Sequence, residues 1–560
     1  MTWGLLSFRK GSKKSCFVVA VLAAALLRLW RKLRTRPKGV RIVEGHWLLG
    51  HLHMFGKAIK IKRHNELLAQ LHESHGQTYA LEGPTGDPVV VTRCAKNVEH
   101  ILLHNFQNYP KGKVMHTVFH DLLGDGIFNT DGHEWLHQRK TTSHMFKEKL
   151  FKEHIWEVVR RNAKKTRKIL LATKVGKTID VFNLLNRFTL DTIGEIGFGK
   201  SIGSLEDPSS PFLKSFDCGQ QVTFDRFFNL KFILKATLKL RILDKLGLQH
   251  LYSISERRQH HFATLDQYSR SVVRELQSAM DRDSTKTGGV AWADIEAGKS
   301  FVGLFVQDAR RKGEVLDEDY LRDLVLNFLI AGRDTTAQAL AWTFFCLASH
   351  PEVEAKARAE ICGVCGADEP SYNDLKKFPY LQAVLSEALR LHPSVPIDLK
   401  IAEAADTWPD GTSISEGTLV AYNIYAMGRD SSVWGSDADV FRPERWLEMD
   451  ELPNSYKNPV FNAGPRECLG KRLAMVEMKT CLAMLLPHLS LKLSVPAENI
   501  TADTQLTLGM ASGLPCFVEK TVMNETVHGE YSDCGSISTD CIDHVPSLNE
   551  SEASLCVETA

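Results

Sequence analysis

Acidic residues are missing from one end of this chain and basic residues from the other. No Asp or Glu precedes Glu44, yet the first 43 residues hold eleven Lys or Arg; after Lys520 there is no Lys or Arg, while residues 521–560 carry eight Asp or Glu. Across all 560 residues, 69 basic groups balance 67 acidic ones, so no global field recruits nucleic acid. Cysteine is scarce, at twelve residues with no spacing that pairs them, which excludes a disulfide scaffold and leaves reduced thiols. The 43% apolar and 24% charged composition excludes wholesale disorder and a polytopic membrane protein. Residues 45–520 contain no internal repeat and no linker, so one large domain is the simplest organisation.

The two ends read differently from that domain. An apolar run from Cys16 to Leu27 is preceded by Lys13 and Lys14 and followed by Arg28, Arg31, Lys32, Arg34 and Arg36. Twelve residues rise only about 18 Å as a helix, short of a ~30 Å hydrocarbon core, although Leu29 and Trp30 extend the run if Arg28 snorkels. Residues 1–44 therefore read as an N-terminal membrane anchor and hinge with a basic cytosolic flank. An acid-free basic leader also suits an organelle transit peptide. A cleaved signal peptide fits poorly, because Arg-rich sequence stands where small residues should follow. Residues 521–560 lack periodicity and read as a solvated acidic tail.

Inside the domain the pattern is mainly α with small β-sheets. Apolar residues from Tyr320 to Ala339 recur at three- and four-residue spacing, predicting a long helix stopped at His350-Pro351. A second helix spans about Tyr380–Leu391, before Pro393. Gly417–Asn423 predicts a strand after the turn Pro409-Asp410-Gly411. Residues 455–470 hold Pro459, Gly464, Pro465 and Gly470 and read as a loop opening into a helix from Lys471 to Leu486.

That loop carries the chemistry. It reads Phe461-Asn462-Ala463-Gly464-Pro465-Arg466-Glu467-Cys468-Leu469-Gly470. Cys468 stands before a helix, where the dipole lowers a thiol pKa. Gly464 and Gly470 add no bulk, so a large flat ligand can approach the backbone. Arg466 brings positive charge to an anionic cofactor group, and Phe461 can shield the sulfur. One thiolate on such a loop suits a haem iron held on one axis. Zinc would want further ligands, and none lie nearby.

These residues match F-x-x-G-x-R-x-C-x-G, and the chain resembles the cytochrome P-450 superfamily. Three further segments match in the family's order. Ala331-Gly332-Arg333-Asp334-Thr335-Thr336 resembles its oxygen-activation motif, Glu387-Ala388-Leu389-Arg390 its E-x-x-R motif, and Phe441-Arg442-Pro443-Glu444-Arg445 its F-x-P-E-R motif. The resemblance covers about residues 45–520. It implies a mainly helical haem-thiolate domain with Cys468 as axial ligand of haem b, iron protoporphyrin IX.

Ala331 and Thr335 are four apart and share a helix face. Small Ala331 leaves room for cofactor and dioxygen; Asp334 and Thr335 would deliver protons to the dioxygen being cleaved. The resemblance implies that Glu387, Arg390 and Arg445 form a buried charge network serving folding rather than catalysis. For the haem propionates it implies Trp135 and Arg139, from a W-x-x-x-R match, together with Arg466. Lys400 stands where the family often has arginine and offers a point charge without the planar fork.

Several stretches, among them Asp191–Phe198, Tyr320–Thr336, His392–Lys400, Pro409–Thr412 and Tyr425–Trp434, are most similar to the fatty-acid ω-hydroxylase branch of plants, fungi and protists. Candidate pocket walls are the Met115–Phe128 loop, Leu324, Phe328, Val395–Leu399 and Leu508–Leu514. No flavin or nicotinamide fingerprint occurs, so a separate NADPH-dependent reductase is implied. Lys471 and Arg472 are candidates for docking it. The expected setting is the cytosolic face of the endoplasmic reticulum membrane, or a plastid or mitochondrial membrane on the transit-peptide reading.

Competing readings remain at this level. An isomerase or dehydratase of oxidised lipids would keep the haem and need no reductase. A non-catalytic haem sensor would keep it without turnover. His133-Glu134-Trp135-Leu136-His137 is an H-E-x-x-H zinc-peptidase signature, but its G-x-x-H extension is absent and the W-x-x-x-R match claims the same segment. Cys362-Gly363-Val364-Cys365 is a lone C-x-x-C, expected in a loop just past a helix as ordinary thiols.

Overall fold

A long central helix organises the chain. The computed structural model describes residues 37–46, 50–82, 87–144, 154–226, 256–281, 301–313, 316–366 and 368–521. Most of the anchor or leader read in residues 1–44 (residues 1–36) and nearly all of the acidic tail lie outside them. Among the described residues no helix is long and apolar enough to cross a membrane.

Helices of nine or more residues are α1 (Leu52–Lys60), α2 (His64–His75), α3 (Gly112–Leu123), α4 (Gly132–Ser143), α5 (Trp156–Ala172), α6 (Val181–Phe198), α7 (Pro211–Asp225), α8 (Glu256–Asp281), α9 (Phe301–Lys312), α10 (Glu318–Ser349), α11 (Pro351–Cys365), α12 (Pro379–Leu391) and α13 (Lys471–Leu485). The spacing expectations for α10, α12 and α13 hold within a few residues. Proline sets two of the neighbouring boundaries. Pro351 and Pro379 occupy the first turns of α11 and α12, where a missing N–H costs nothing.

Two expectations are corrected. Residues 115–123 of the expected Met115–Phe128 loop belong to α3, whose buried Met115, Val118, Leu122 and Leu123 form a helical stripe. Cys362 and Cys365 stand in the last turns of α11 rather than past it, and burial pushes both thiols up.

The strands are β1 (Arg41–Ile42), β2 (Thr78–Glu82), β3 (Pro88–Thr92), β4 (Ile179–Asp180), β5 (Asp398–Ile401), β6 (Asp406–Thr407), β7 (Ser413–Ile414), β8 (Leu419–Tyr422), β9 (Leu489–Leu493), β10 (Ala502–Thr504), β11 (Leu508–Met510) and β12 (Pro515–Lys520). The largest sheet runs β1-β2-β3-β8-β5. Its two faces follow the period of two: Ala80, Val90 and Val420 join one apolar cluster, and Tyr79, Leu81, Val91 and Ala421 the other. The main core surrounds α10, which packs most extensively on α6 and also on α8 and α12. A Cβ on Gly332 would lie 2.4 Å from the Ile193 side chain, so this glycine lets α10 and α6 approach.

Candidate functional site

The loop before α13 is held from beneath by α4. Cys468 N–H donates to Phe461 O at 2.8 Å, folding the loop back on itself. Arg139 Nη1 donates to Glu467 O at 2.8 Å, and the Arg466 guanidinium lies over the Trp135 ring at 4.4 Å. The structure thus brings Trp135, Arg139, Arg466 and the Cys468 loop together. Gly464 owes its place to a different cause from the one anticipated. Its φ is +63°, and a Cβ there would fall 2.2 Å from Leu102 O. At Gly470 a Cβ would meet only Cys468 Sγ, at 3.8 Å.

The thiol departs from expectation. Burial pushes Cys468 up, and the Gly470 N–H and the Arg139 charge only partly offset this. A coordinating metal would favour the thiolate against that burial. Its side chain is accessible, although protein atoms surround it densely.

A cluster of buried charge adjoins the loop. Arg466 Nη2 donates to Thr130 O at 3.0 Å and Asp131 Oδ1 at 2.6 Å, while its Nε is buried with no hydrogen-bond partner. Lys400, fully buried, contacts Asp398 Oδ2 at 3.1 Å. Tyr422 donates to the same carboxylate at 2.6 Å and contacts Asn462 Oδ1 at 2.9 Å. Although burial opposes it, Lys400 and Lys111 hold the Asp398 carboxyl well below the usual range.

Lys111 escaped the sequence reading. Burial pushes it down to about 7, opposed by Asp398. Burial likewise lowers Lys400 and Arg466, and takes Arg139 down to about 10. Four cations, Lys111, Arg139, Lys400 and Arg466, face three carboxylates, Asp131, Asp398 and Glu467, the last of which also pairs with Lys471. The surplus positive charge, the Arg466 Nε left without a partner among the described residues and the accessible Cys468 thiol fit an iron porphyrin with two propionates. No sequence motif marks Lys111; it is a lone lysine between Pro110 and Gly112, 289 positions before Lys400.

The second constellation lies on α10. From Asp323 to Phe344 every residue is buried except Ala331, Gly332 and Thr335. Ala331 and Thr335 therefore border a space inside the protein. Thr335 Oγ1 donates to Ala331 O at 2.7 Å, and Ser394 Oγ donates to Thr335 O at 2.7 Å. Asp334 is buried against Arg333, whose Nη1 reaches Asp334 Oδ1 at 2.8 Å and Asp217 Oδ1 at 2.7 Å. Burial raises Asp334 to about 6; Arg333 opposes this and Asp217 adds to it. Asp217 is over half exposed, so this chain leads from a buried carboxyl to water. Leu324 and Phe328 are core residues, Phe328 stacking on Phe301 at 4.4 Å.

Glu387 is the centre of the structural network. It accepts from Arg390 Nε at 2.8 Å and Nη2 at 2.7 Å, from Arg445 Nε at 2.9 Å, from Trp446 Nε1 at 2.9 Å and from Arg442 N–H at 2.9 Å. Arg390 and Arg445 spend their other donors on backbone carbonyls of residues 428–440, and Arg445 Nη1 also donates to Asp437 Oδ1 at 3.1 Å. The rival zinc motif gains no support: His133 and Glu134 are exposed on α4, and no third ligand joins them among the described residues. Near the loop, Lys471 pairs with Glu467 at 3.2 Å and Arg472 donates to Tyr372 at 2.8 Å.

A family model described as Cytochrome P450 matches residues 41–515. Similar curated proteins include cytochrome P450 86B1 of Arabidopsis thaliana, 36% identical over 460 residues and covering 78% of each chain. Cytochrome P450 704C1 of Pinus taeda is 34% identical over 528 residues, covering 87% of this chain and 92% of its own. Cytochrome P450 94A1 of Vicia sativa is 32% identical over 466 residues, with 80% and 84% covered.

Proposed function

The chain belongs to the cytochrome P450 family of haem-iron monooxygenases, and from that premise we propose that it hydroxylates a fatty acid or related lipid at or near the chain terminus. The observation that carries the site assignment is the convergence of Arg139, Trp135 and Arg466 on the Cys468 loop. Haem b would be held by Cys468 at the iron and by Lys111, Arg139, Lys400, Arg466 and Trp135 around its propionates. Phe461 would screen the sulfur, and Gly464 and Gly470 shape the loop. When bound, the haem supplies dioxygen activation, with the thiolate pushing electron density toward O–O cleavage.

The chain's own residues manage protons and access. Asp334, raised to about 6, exchanges its proton near neutral pH, and Arg333 and Asp217 link it toward solvent. Thr335 Oγ1 donates to Ala331 O at rest, so it must leave that bond to donate into the site. Glu387, Arg390 and Arg445 hold the segment preceding the Cys loop and take no part in proton transfer.

The lipid reading is supported by the similarity of Asp191–Phe198, Tyr320–Thr336 and His392–Lys400 to the ω-hydroxylase branch. Electrons would come from a separate NADPH-dependent reductase. The basic, apolar stretch within residues 1–44 supports a place on the cytosolic face of the endoplasmic reticulum membrane, with a plastid or mitochondrial membrane as the alternative. A difference-spectrum titration with fatty acids of graded chain length tests the substrate class. Saturable spectral shifts that tighten with chain length, and NADPH- and reductase-dependent hydroxylation, are expected. Conversion of oxidised lipids without NADPH, and no hydroxylation with it, would favour the isomerase reading instead.

A further inference from the structure

A group of metal-ligating side chains lies outside this machinery, at the C-terminal end of α3. His116 and His120 are four residues apart and share one face of the helix. The chain turns back at Gly124 and brings Asp125 beside them. One ring nitrogen from each histidine and one carboxylate oxygen of Asp125 all lie within 4.8 Å of one another. His116 Nε2 is already 2.7 Å from Asp125 Oδ1, and the two imidazole rings are 5.2 Å apart.

The turn that presents Asp125 is built by three other parts of the fold. Asp125 N–H donates to Asp323 Oδ2 of α10 at 2.8 Å, and Gln138 Nε2 of α4 donates to Asp125 O at 2.8 Å. Asn129 Nδ2 donates to Gly124 O at 2.8 Å and to His116 O at 3.2 Å. Gly124 has a φ of +51°, and a Cβ there would fall 1.9 Å from Asp323 Oδ2, so no other residue fits. The backbone of Asp125 is thus pinned while its carboxylate faces solvent.

We propose that His116, His120 and Asp125 bind a divalent transition ion, zinc foremost, with water completing the coordination. Two imidazoles and one carboxylate are a zinc, nickel or copper donor set; calcium and magnesium want oxygen throughout. A tetrahedral ion with bonds of about 2.0–2.1 Å places its ligand atoms roughly 3.4 Å apart, a closure that side-chain rotation supplies. The bound ion joins the end of α3 to the turn that Asp323 and Gln138 anchor, and so stiffens residues 112–125.

The test uses the full-length haem-loaded protein, dialysed against zinc chloride, with zinc and iron counted by elemental analysis. One zinc per chain beyond the iron is expected, together with slowed hydrogen exchange over residues 112–125. His120→Ala and Asp125→Asn should each weaken binding about tenfold or more. His133→Ala, in the H-E-x-x-H segment, should leave it unchanged. Absence of stoichiometric zinc, retention unaffected by both His120→Ala and Asp125→Asn, or loss on His133→Ala would overturn the assignment.

Discussion

Replacing Glu387 by Gln keeps the shape of one buried side chain and removes its charge. The carboxylate is fully buried and accepts five hydrogen bonds, two from Arg390 and one each from Arg445, Trp446 and the Arg442 backbone. A glutamine presents an NH2 group where a guanidinium already points; it leaves the buried Arg390 without its carboxylate and Arg445 with Asp437 alone. Breaking a buried ion pair from one side costs about 3–5 kcal/mol, against a total stability of about 5–15 kcal/mol. The folded-to-unfolded ratio should therefore fall by roughly 150- to 5,000-fold. Arg442→Ala is the control. That side chain is about one-third exposed and pairs with Asp437 and Glu448 near the surface, so its loss should cost under about 1 kcal/mol.

Chemical denaturation followed by circular dichroism and by haem absorbance reads both variants. The pH dependence has a defined sign. Despite burial, Arg390 and its neighbours lower the Glu387 carboxyl below the ordinary glutamate range. Its stabilisation is present above that range and lost as pH falls through the lowered value, so the gap between wild type and Glu387→Gln should narrow in acid. A Glu387→Gln cost no larger than that of Arg442→Ala, at neutral pH, would refute the network as a folding element.

Other predictions address the site and its frame. Thr335→Ala loses only the back-bond to Ala331 O, so stability and haem content should hold while electrons are diverted to peroxide; normal coupling of NADPH to product would remove Thr335 from proton delivery. Asp334→Asn should lower turnover yet stabilise the fold at pH 8. Burial raises Asp334 from 3.8 to about 6, so its ionisation costs stability as pH rises through that interval, by roughly 3 kcal/mol at most; melting temperatures that show no relative gain for Asn between pH 4 and 8 would contradict this. Gly332→Ala drives a methyl into Ile193 and should cost about 1–3 kcal/mol, partly relieved by Ile193→Ala, which removes the two nearest side-chain carbons. Equal costs in both backgrounds, measured by urea denaturation, would mean that the contact does not limit the approach of α10 and α6.

Much of this architecture is legible along the chain because the forces are local. The apolar period and His350-Pro351 delimit α10, and the spacing of Glu387 and Arg390 puts both groups on one helix face. Cys468 is legible because its neighbours within seven residues carry the pattern. What escapes is set by long-range packing. Lys111, Asp131, Asp398, Tyr422 and Asn462 meet only in the folded chain, and no local spacing links them. The role of Gly464 depends on Leu102 O, more than 300 residues away, and the burial that pushes the Cys468 thiol up is set by the folded chain. Helix α3 was hidden by its glycine and histidines, and becomes visible only through the core its stripe covers.

The bond between Cys468 and haem iron decides the rest. The reduced carbon monoxide complex of the purified, haem-loaded protein should give the thiolate-type absorption spectrum, and Cys468→Ala should abolish it while the far-ultraviolet circular dichroism stays native. A wild-type spectrum without that signature, or its survival in folded Cys468→Ala, would contradict the assigned ligand and the chemistry built on it.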